Sequence, residues 1–94
     1  MATAKRVLII DDDAELRREL ADLLHLHEQL DVREASDGRG GLEKAAEGHV
    51  DLILLDVGLP DSDGRDLCRL MRKKGVKAPV IMLTAADTDA DAIL

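Results

Sequence analysis

The sequence contains no phenylalanine, tyrosine or tryptophan. Its core therefore has to be assembled from Leu, Ile, Val, Met and Ala, and no aromatic face is available for nucleobases to stack on. Cysteine is nearly absent as well. Cys68 alone excludes an internal disulfide framework and a CxxC metal or redox motif, and it fits a reducing compartment. Basic residues are outnumbered, 13 Lys and Arg against 20 Asp and Glu, for a formal net charge of −7. A nucleic-acid-binding surface would show the opposite balance. No apolar stretch nears the ~20 residues that span a bilayer, and the run Val7–Ile10 that follows Arg6 is too short for a signal peptide. These absences lead to the expectation of a cytoplasmic chain that contacts neither membrane nor nucleic acid.

What is present suits one soluble globular domain spanning 1–94, with 46% hydrophobic and 35% charged residues. Val7–Ile10, Leu52–Leu55 and Val80–Leu83 are short apolar runs without alternation, as in strands buried on both faces of a parallel sheet. A weaker extended piece covers Asp31 to Ala35. Between the strands, Leu16, Leu20, Leu23, Leu24 and His27 form a helical stripe, with Glu15, Arg17, Arg18, Glu19 and Asp22 on the other faces and Asp13 as N-cap. A shorter helix is expected from about Gly40 to Glu47, packing through Leu42, Ala45 and Ala46. Another is expected from about Gly64 to Lys74, with Leu67, Leu70 and Met71 inward and Gly75 ending it. Asp87 to Leu94 reads as the beginning of a further helix.

The order βαβαβαβ at this spacing means parallel strands joined by helical crossovers, an α/β fold. In such sheets ligands bind beyond the carboxyl ends of the strands. The residues just past the ends of the three strongest strands are Asp11 and Asp12, then Asp56, then Thr84. Carboxylates gathered so closely raise one another's pKa unless a cation neutralises them. With oxygen-only ligands and room for water, Mg²⁺ is the expected ion, and the remaining carboxylate is free to attack a phosphoryl group. Any one of these aspartates could instead be the N-cap of the next helix; the constellation is the stronger signal.

The chain resembles the receiver domain of two-component response regulators, the flavodoxin-like module that accepts a phosphoryl group from a histidine kinase. The matching pieces are Val7-Leu8-Ile9-Ile10-Asp11-Asp12-Asp13, Asp51-Leu52-Ile53-Leu54-Leu55-Asp56, Leu59-Pro60-Asp61-Ser62-Asp63-Gly64 and Ala78-Pro79-Val80-Ile81-Met82-Leu83-Thr84-Ala85. They occur in order and at the family's spacing over nearly the whole chain. The resemblance implies a doubly wound parallel sheet of order 2-1-3-4, with Asp56 as phosphoacceptor. It also implies Mg²⁺ held by Asp11, Asp12, Asp56 and the backbone carbonyl of Gly58, and Thr84 as phosphoryl contact and switch. A sensor histidine kinase is the implied partner, and the domain is a phosphoacceptor rather than an enzyme. The family's last strand and helix, its Lys-Pro pair and its aromatic switch position have no counterpart here. None of Lys5, Lys44, Lys73, Lys74 and Lys77 falls where it could replace that lysine, and Arg65 is the nearest candidate cation. With order 2-1-3-4, Val80–Leu83 would form an apolar edge. The expectation is then either self-association through that strand or the segment Asp87–Leu94, or a fragment of a longer protein.

Three features have blander readings. Asp87, Asp89 and Asp91 mimic the opening of an EF-hand loop, yet Ala92 stands where that loop needs glycine. His25 and His27 lie two apart on a helix and so face apart, which makes surface residues of them and of His49 rather than a relay. Cys68 adjoins a buried stripe as a small packing residue. The alternative to a phosphoacceptor is a truncated, non-phosphorylated interaction module. A haloacid-dehalogenase-type phosphatase would need a second aspartate at position 58, which is glycine.

Overall fold

The computed structural model describes residues 5–28 and 30–83. The helix expected from Asp87 to Leu94 lies outside them. Strands β1 (Arg6–Ile10), β2 (Asp31–Ala35), β3 (Leu52–Asp56) and β4 (Val80–Leu83) alternate with helices α1 (Ala14–Glu28), α2 (Gly38–Glu47) and α3 (Gly64–Lys73). All three strand pairings are parallel, in the order β2-β1-β3-β4 expected from sequence. Ile10 is level with Ala35 on one side and Leu55 on the other, and Asp56 is level with Leu83. The carboxyl ends of the strands thus finish along one line, and whatever follows them is delivered to a common edge. Among the described residues, no helix is long and apolar enough to cross a membrane.

One face of the sheet makes the main core. Leu8, Ile10, Ile53, Leu55 and Val80 pack there against Ala45 of α2 and Leu67, Cys68 and Met71 of α3. Side chains alternate along a strand, so Val7 and Ile9 point to the opposite face, where α1 packs on β1 and β2. Each aliphatic side chain that is fully buried contributes about 1.5–3 kcal/mol, which is how a core without aromatic rings can hold. The buried line of α2 is Gly38, Gly41 and Ala45, small residues that let the helix come close to β1. A Cβ on Gly41 would stand 2.5 Å from Cδ1 of Ile10. Arg72 closes the turn into β4, its Nη1 donating to the carbonyls of Val76 (2.9 Å) and Ala78 (2.7 Å).

Three details differ from the periodicity reading. In α2 the helix begins two residues early, at Gly38, because Asp37 caps it by accepting the Gly40 N–H, and this phase leaves Ala46 exposed. In α3 the buried set is Gly64, Leu67, Cys68 and Met71, so Leu70 falls beside the stripe and is 42% exposed. In α1 the half-buried line is Arg17, Leu20, Ala21 and Leu24, while Leu16 and Leu23 are 39% and 54% exposed. The apolar pattern alone places Arg17 outside; polar bonds at the site draw it in.

Among the described glycines, Gly64 sets the closest approach to backbone atoms. A Cβ there would lie 2.8 Å from the carbonyl oxygen of Asp56 and 2.8 Å from Cα of Val57, backbone atoms that cannot swing aside. Gly64→Ala is expected to cost about 1–3 kcal/mol of stability, the usual range for overpacking. Urea unfolding followed by far-ultraviolet circular dichroism measures this, and an unchanged midpoint would show that the β3–α3 junction yields.

Candidate functional site

Asp11, Asp12 and Asp56 come together at the carboxyl edge of the sheet. One carboxylate oxygen from each lies within 4.8 Å of the others. Asp11 follows the last residue of β1, Asp56 is the last residue of β3, and the two strands are neighbours. The adjacency of those strand ends is what gathers the groups. Their surroundings differ: Asp11 is 4% exposed, Asp12 is exposed and Asp56 is half-buried. Asp13, the expected N-cap, accepts the N–H groups of Glu15 and Leu16 through Oδ1 at 3.1 Å each, so it serves α1 rather than the cluster.

Backbone groups hold the cluster in place. Asp11 donates its N–H to the carbonyl of Ala35 (3.0 Å), and its Oδ1 accepts the N–H of Asp13 (2.9 Å). Oδ1 of Asp56 accepts the N–H of Gly58 (3.2 Å). Gly58 also forms an antiparallel bridge with Asp63, and Gly64 donates to the carbonyl of Val57 (2.9 Å). Loop 57–63 therefore folds back beside Asp56. Nothing lies within 4 Å of a Cβ placed on Gly58, so the backbone position there does not depend on glycine.

Two residues that bear on the site escape the sequence reading. Arg17 donates from Nη1 to the carbonyl oxygen of Asp11 (2.7 Å), and its Nε donates to Glu34 of β2 (3.0 Å). It stitches the start of α1 to the Asp11–Asp12 turn, with its side chain 15% exposed. The half-buried line through Leu20, Ala21 and Leu24 extends back to Arg17, a phase signal visible in the sequence once the helix start is known. Asp61 accepts from the N–H groups of Gly38 (2.7 Å) and Arg39 (3.1 Å), more than twenty residues away, and no local pattern announces that contact. Of the remaining expected residues, Thr84 lies outside the described residues. Lys74 and Lys77 line a cavity with His49 and Val50, which precede β3, at the opposite end of the sheet. Arg65 is exposed, and its backbone N–H donates to Asp63 (2.8 Å).

The electrostatics follow from this packing. Burial pushes the Asp11 carboxyl above the ordinary carboxylate range, the Asp13 N–H opposes that, and the charges of Asp56, Asp12 and Asp13 add to it. A carboxyl raised in the folded state binds its proton more readily there than in the unfolded chain. Its charge therefore costs stability as pH rises through the folded value, and the stabilising proton is fully present below the unfolded value. Asp11→Asn keeps an acceptor for the Asp13 N–H and removes the charge. At neutral pH and without metal the variant is expected to unfold at higher urea than the wild type. The two curves should converge near about pH 3, where carboxyls carry their protons; a variant less stable at pH 7 would contradict this account.

Comparison with known proteins agrees with this geometry. The profile of the response regulator receiver domain matches residues 7–94. The chain is similar to the alkaline phosphatase synthesis transcriptional regulatory protein SphR of Synechococcus elongatus, 38% identical over 100 residues. That match covers 97% of this chain and 38% of SphR, so the chain spans well under half of that relative's length. Among solved structures, a CheY-like receiver domain protein of Methanospirillum hungatei superposes with a TM-score of 0.85 at 29% identity, covering 93% of this chain and 69% of the other. The response regulator MaeR bound to beryllium trifluoride gives a TM-score of 0.81 at 25% identity, covering 89% and 70%. With the profile match over nearly its whole length, and with the same fold in the solved relatives, the chain belongs to the receiver domain family of two-component response regulators.

Proposed function

We propose that this receiver domain takes a phosphoryl group from a histidine kinase onto Asp56, with Mg²⁺ at the adjoining carboxylates. The observation that carries this reading is the convergence of Asp11, Asp12 and Asp56 within 4.8 Å. An all-oxygen donor set of that density, with one carboxyl buried, suits a hard divalent cation. The residues that would hold it are Asp11, Asp12, Asp56 and the carbonyl of Gly58. Bound there, Mg²⁺ supplies neutralising charge as negative oxygens crowd together.

The acceptor chemistry falls to Asp56. One of its oxygens accepts the Gly58 N–H, which steadies the carboxylate and leaves the other to attack phosphorus. An O–P bond forms, the P–N bond of the kinase phosphohistidine breaks, and the imidazole leaves with that electron pair and takes up a proton. Thr84 is assigned the contact with the phosphoryl oxygen and the transmission of the change to a partner surface. The MaeR complex with beryllium trifluoride, a mimic of the phosphoryl group, supports this reading in a related receiver. The domain acts as a cytoplasmic signalling module and not as an enzyme of turnover.

Alongside phosphoryl acceptance, we propose β4 as a surface for self-association. It is the outer strand of the described sheet, and Ile81, Met82 and Leu83 are half-buried along it. A second copy pairing along that edge, or exchanging residues 87–94, would cover it. Sedimentation of the 94-residue chain that depends on concentration supports this reading, and a monomer with well-protected amides at 80–83 rejects it.

The phosphoacceptor reading is tested by amide NMR of the chain with Mg²⁺ and beryllofluoride. Signals of Asp11, Asp56 and Gly58 are expected to move. Asp56→Asn is expected to abolish the beryllofluoride response and phosphoryl uptake from a kinase while keeping the fold. Asp12→Ala is expected to weaken Mg²⁺ binding at least about tenfold, the lower end of what loss of an outer-shell partner costs. Labelling retained by Asp56→Asn would move the acceptor elsewhere.

A further inference from the structure

Loop 57–63 presents Gly58 to Asp56, and its ends are anchored by the Gly58–Asp63 bridge and by Leu59, which is sunk in the core. Its tip is held differently. Asp61 reaches across to the first turn of α2, where Oδ1 accepts the Gly38 N–H at 2.7 Å and Oδ2 accepts the Arg39 N–H at 3.1 Å. The amino end of a helix carries backbone donors with no partner inside the helix. In α2 these are divided between two aspartates: Asp37, next in sequence, takes Gly40, and Asp61 takes Gly38 and Arg39. Glycine at 38 makes the approach feasible, since a Cβ there would collide with Oγ of Ser62 and stand 3.0 Å from Oδ1 of Asp61.

We propose that Asp61 is a positioning residue, which clamps the loop carrying Gly58 to the amino end of α2 and so sets where the Gly58 backbone stands beside Asp56. Insofar as it concerns metal, the proposal rests on the Mg²⁺ reading above. The carboxylate binds two N–H groups at once, so it fixes orientation as well as distance. Both N–H groups belong to a helix that is itself packed tightly on β1. The tip of the loop is therefore referred to the sheet by a route separate from its own covalent ends. The linkage runs both ways: whatever orders the Gly58 backbone, a cation included, also tightens the Asp61 contact with α2, and releasing that contact weakens the cation's hold by the same factor. In line with this geometry, the Gly38 N–H, seconded by that of Arg39, holds the Asp61 carboxyl below the ordinary carboxylate range.

The test compares Asp61→Ala and Asp61→Asn with Asp37→Ala in the full chain. Asp37→Ala removes the local cap of α2 without touching loop 57–63, so it reports the effect of a weakened helix alone. Two quantities are read: the exchange rate of the Gly58 amide without metal, and the Mg²⁺ dissociation constant from amide NMR titration. Asp61→Ala is expected to speed Gly58 exchange and to weaken Mg²⁺ binding, each by about tenfold, as for loss of a group that orients a ligand. Asp61→Asn, which has a single acceptor oxygen, should fall between that variant and the wild type. Asp37→Ala should lower the melting temperature and leave both quantities unchanged. An unaltered Gly58 exchange rate in Asp61→Ala, or equal effects from Asp37→Ala, would overturn the proposal. If the wild type itself binds no Mg²⁺, the metal reading fails, and Gly58 exchange alone decides whether the clamp exists.

Discussion

Three carboxylates held within 4.8 Å of one another repel, and the remainder of the fold is arranged to sustain that repulsion. The parallel sheet does so first, by finishing β1 and β3 side by side at the same level. Short backbone bonds come next: the Asp13 N–H on Asp11, the Gly58 N–H on Asp56, and the Ala35 carbonyl receiving the Asp11 N–H. Arg17 adds a cation without forming an ion pair with the cluster. It binds the main-chain oxygen of Asp11 and directs its charge to Glu34, so the acidic edge is braced while its charge remains. Positive charge brought to this edge would relieve the repulsion.

Close backbone approach is the second requirement, and glycine meets it at two junctions. At Gly64 the start of α3 touches the end of β3, and at Gly38 the start of α2 meets the tip of the loop that follows β3. Both contacts converge on the segment that leaves Asp56. The segment that follows β3 is thus tied to α3 by main-chain contact at Gly64 and to α2 by the side chains of Asp61 and Ser62 at Gly38.

Most of this architecture was legible in the sequence. The strands at Asp31–Ala35 and Val80–Leu83 match the reading residue for residue, and β1 and β3 each gain one residue. Unalternating β-branched and leucine runs can be buried on both faces in few ways, which is why they read so clearly. The acidic edge was legible for a related reason, because strand ends in parallel sheets share one edge. The misreadings share a cause. Leu16, Leu23 and Leu70 are leucines near a buried stripe, and periodicity resolves a stripe's direction only to about one residue in 3.6. Polar bonds decide the rest: Arg17 turns α1 so that it can reach the Asp11 carbonyl, and Asp37 starts α2 earlier than its apolar residues indicate. Asp61 was illegible because its partners lie 23 and 22 positions away.

The small-residue face of α2 has a mechanical consequence. Gly38, Gly41 and Ala45 leave no side-chain volume to compress, and Ile10 already fills the gap against Gly41. The helix can yield in one direction only, away from the sheet, and its amino end is pinned by the two aspartates. An inward shift of α2 would therefore meet Ile10 at once, so the sheet sets a hard stop on that side.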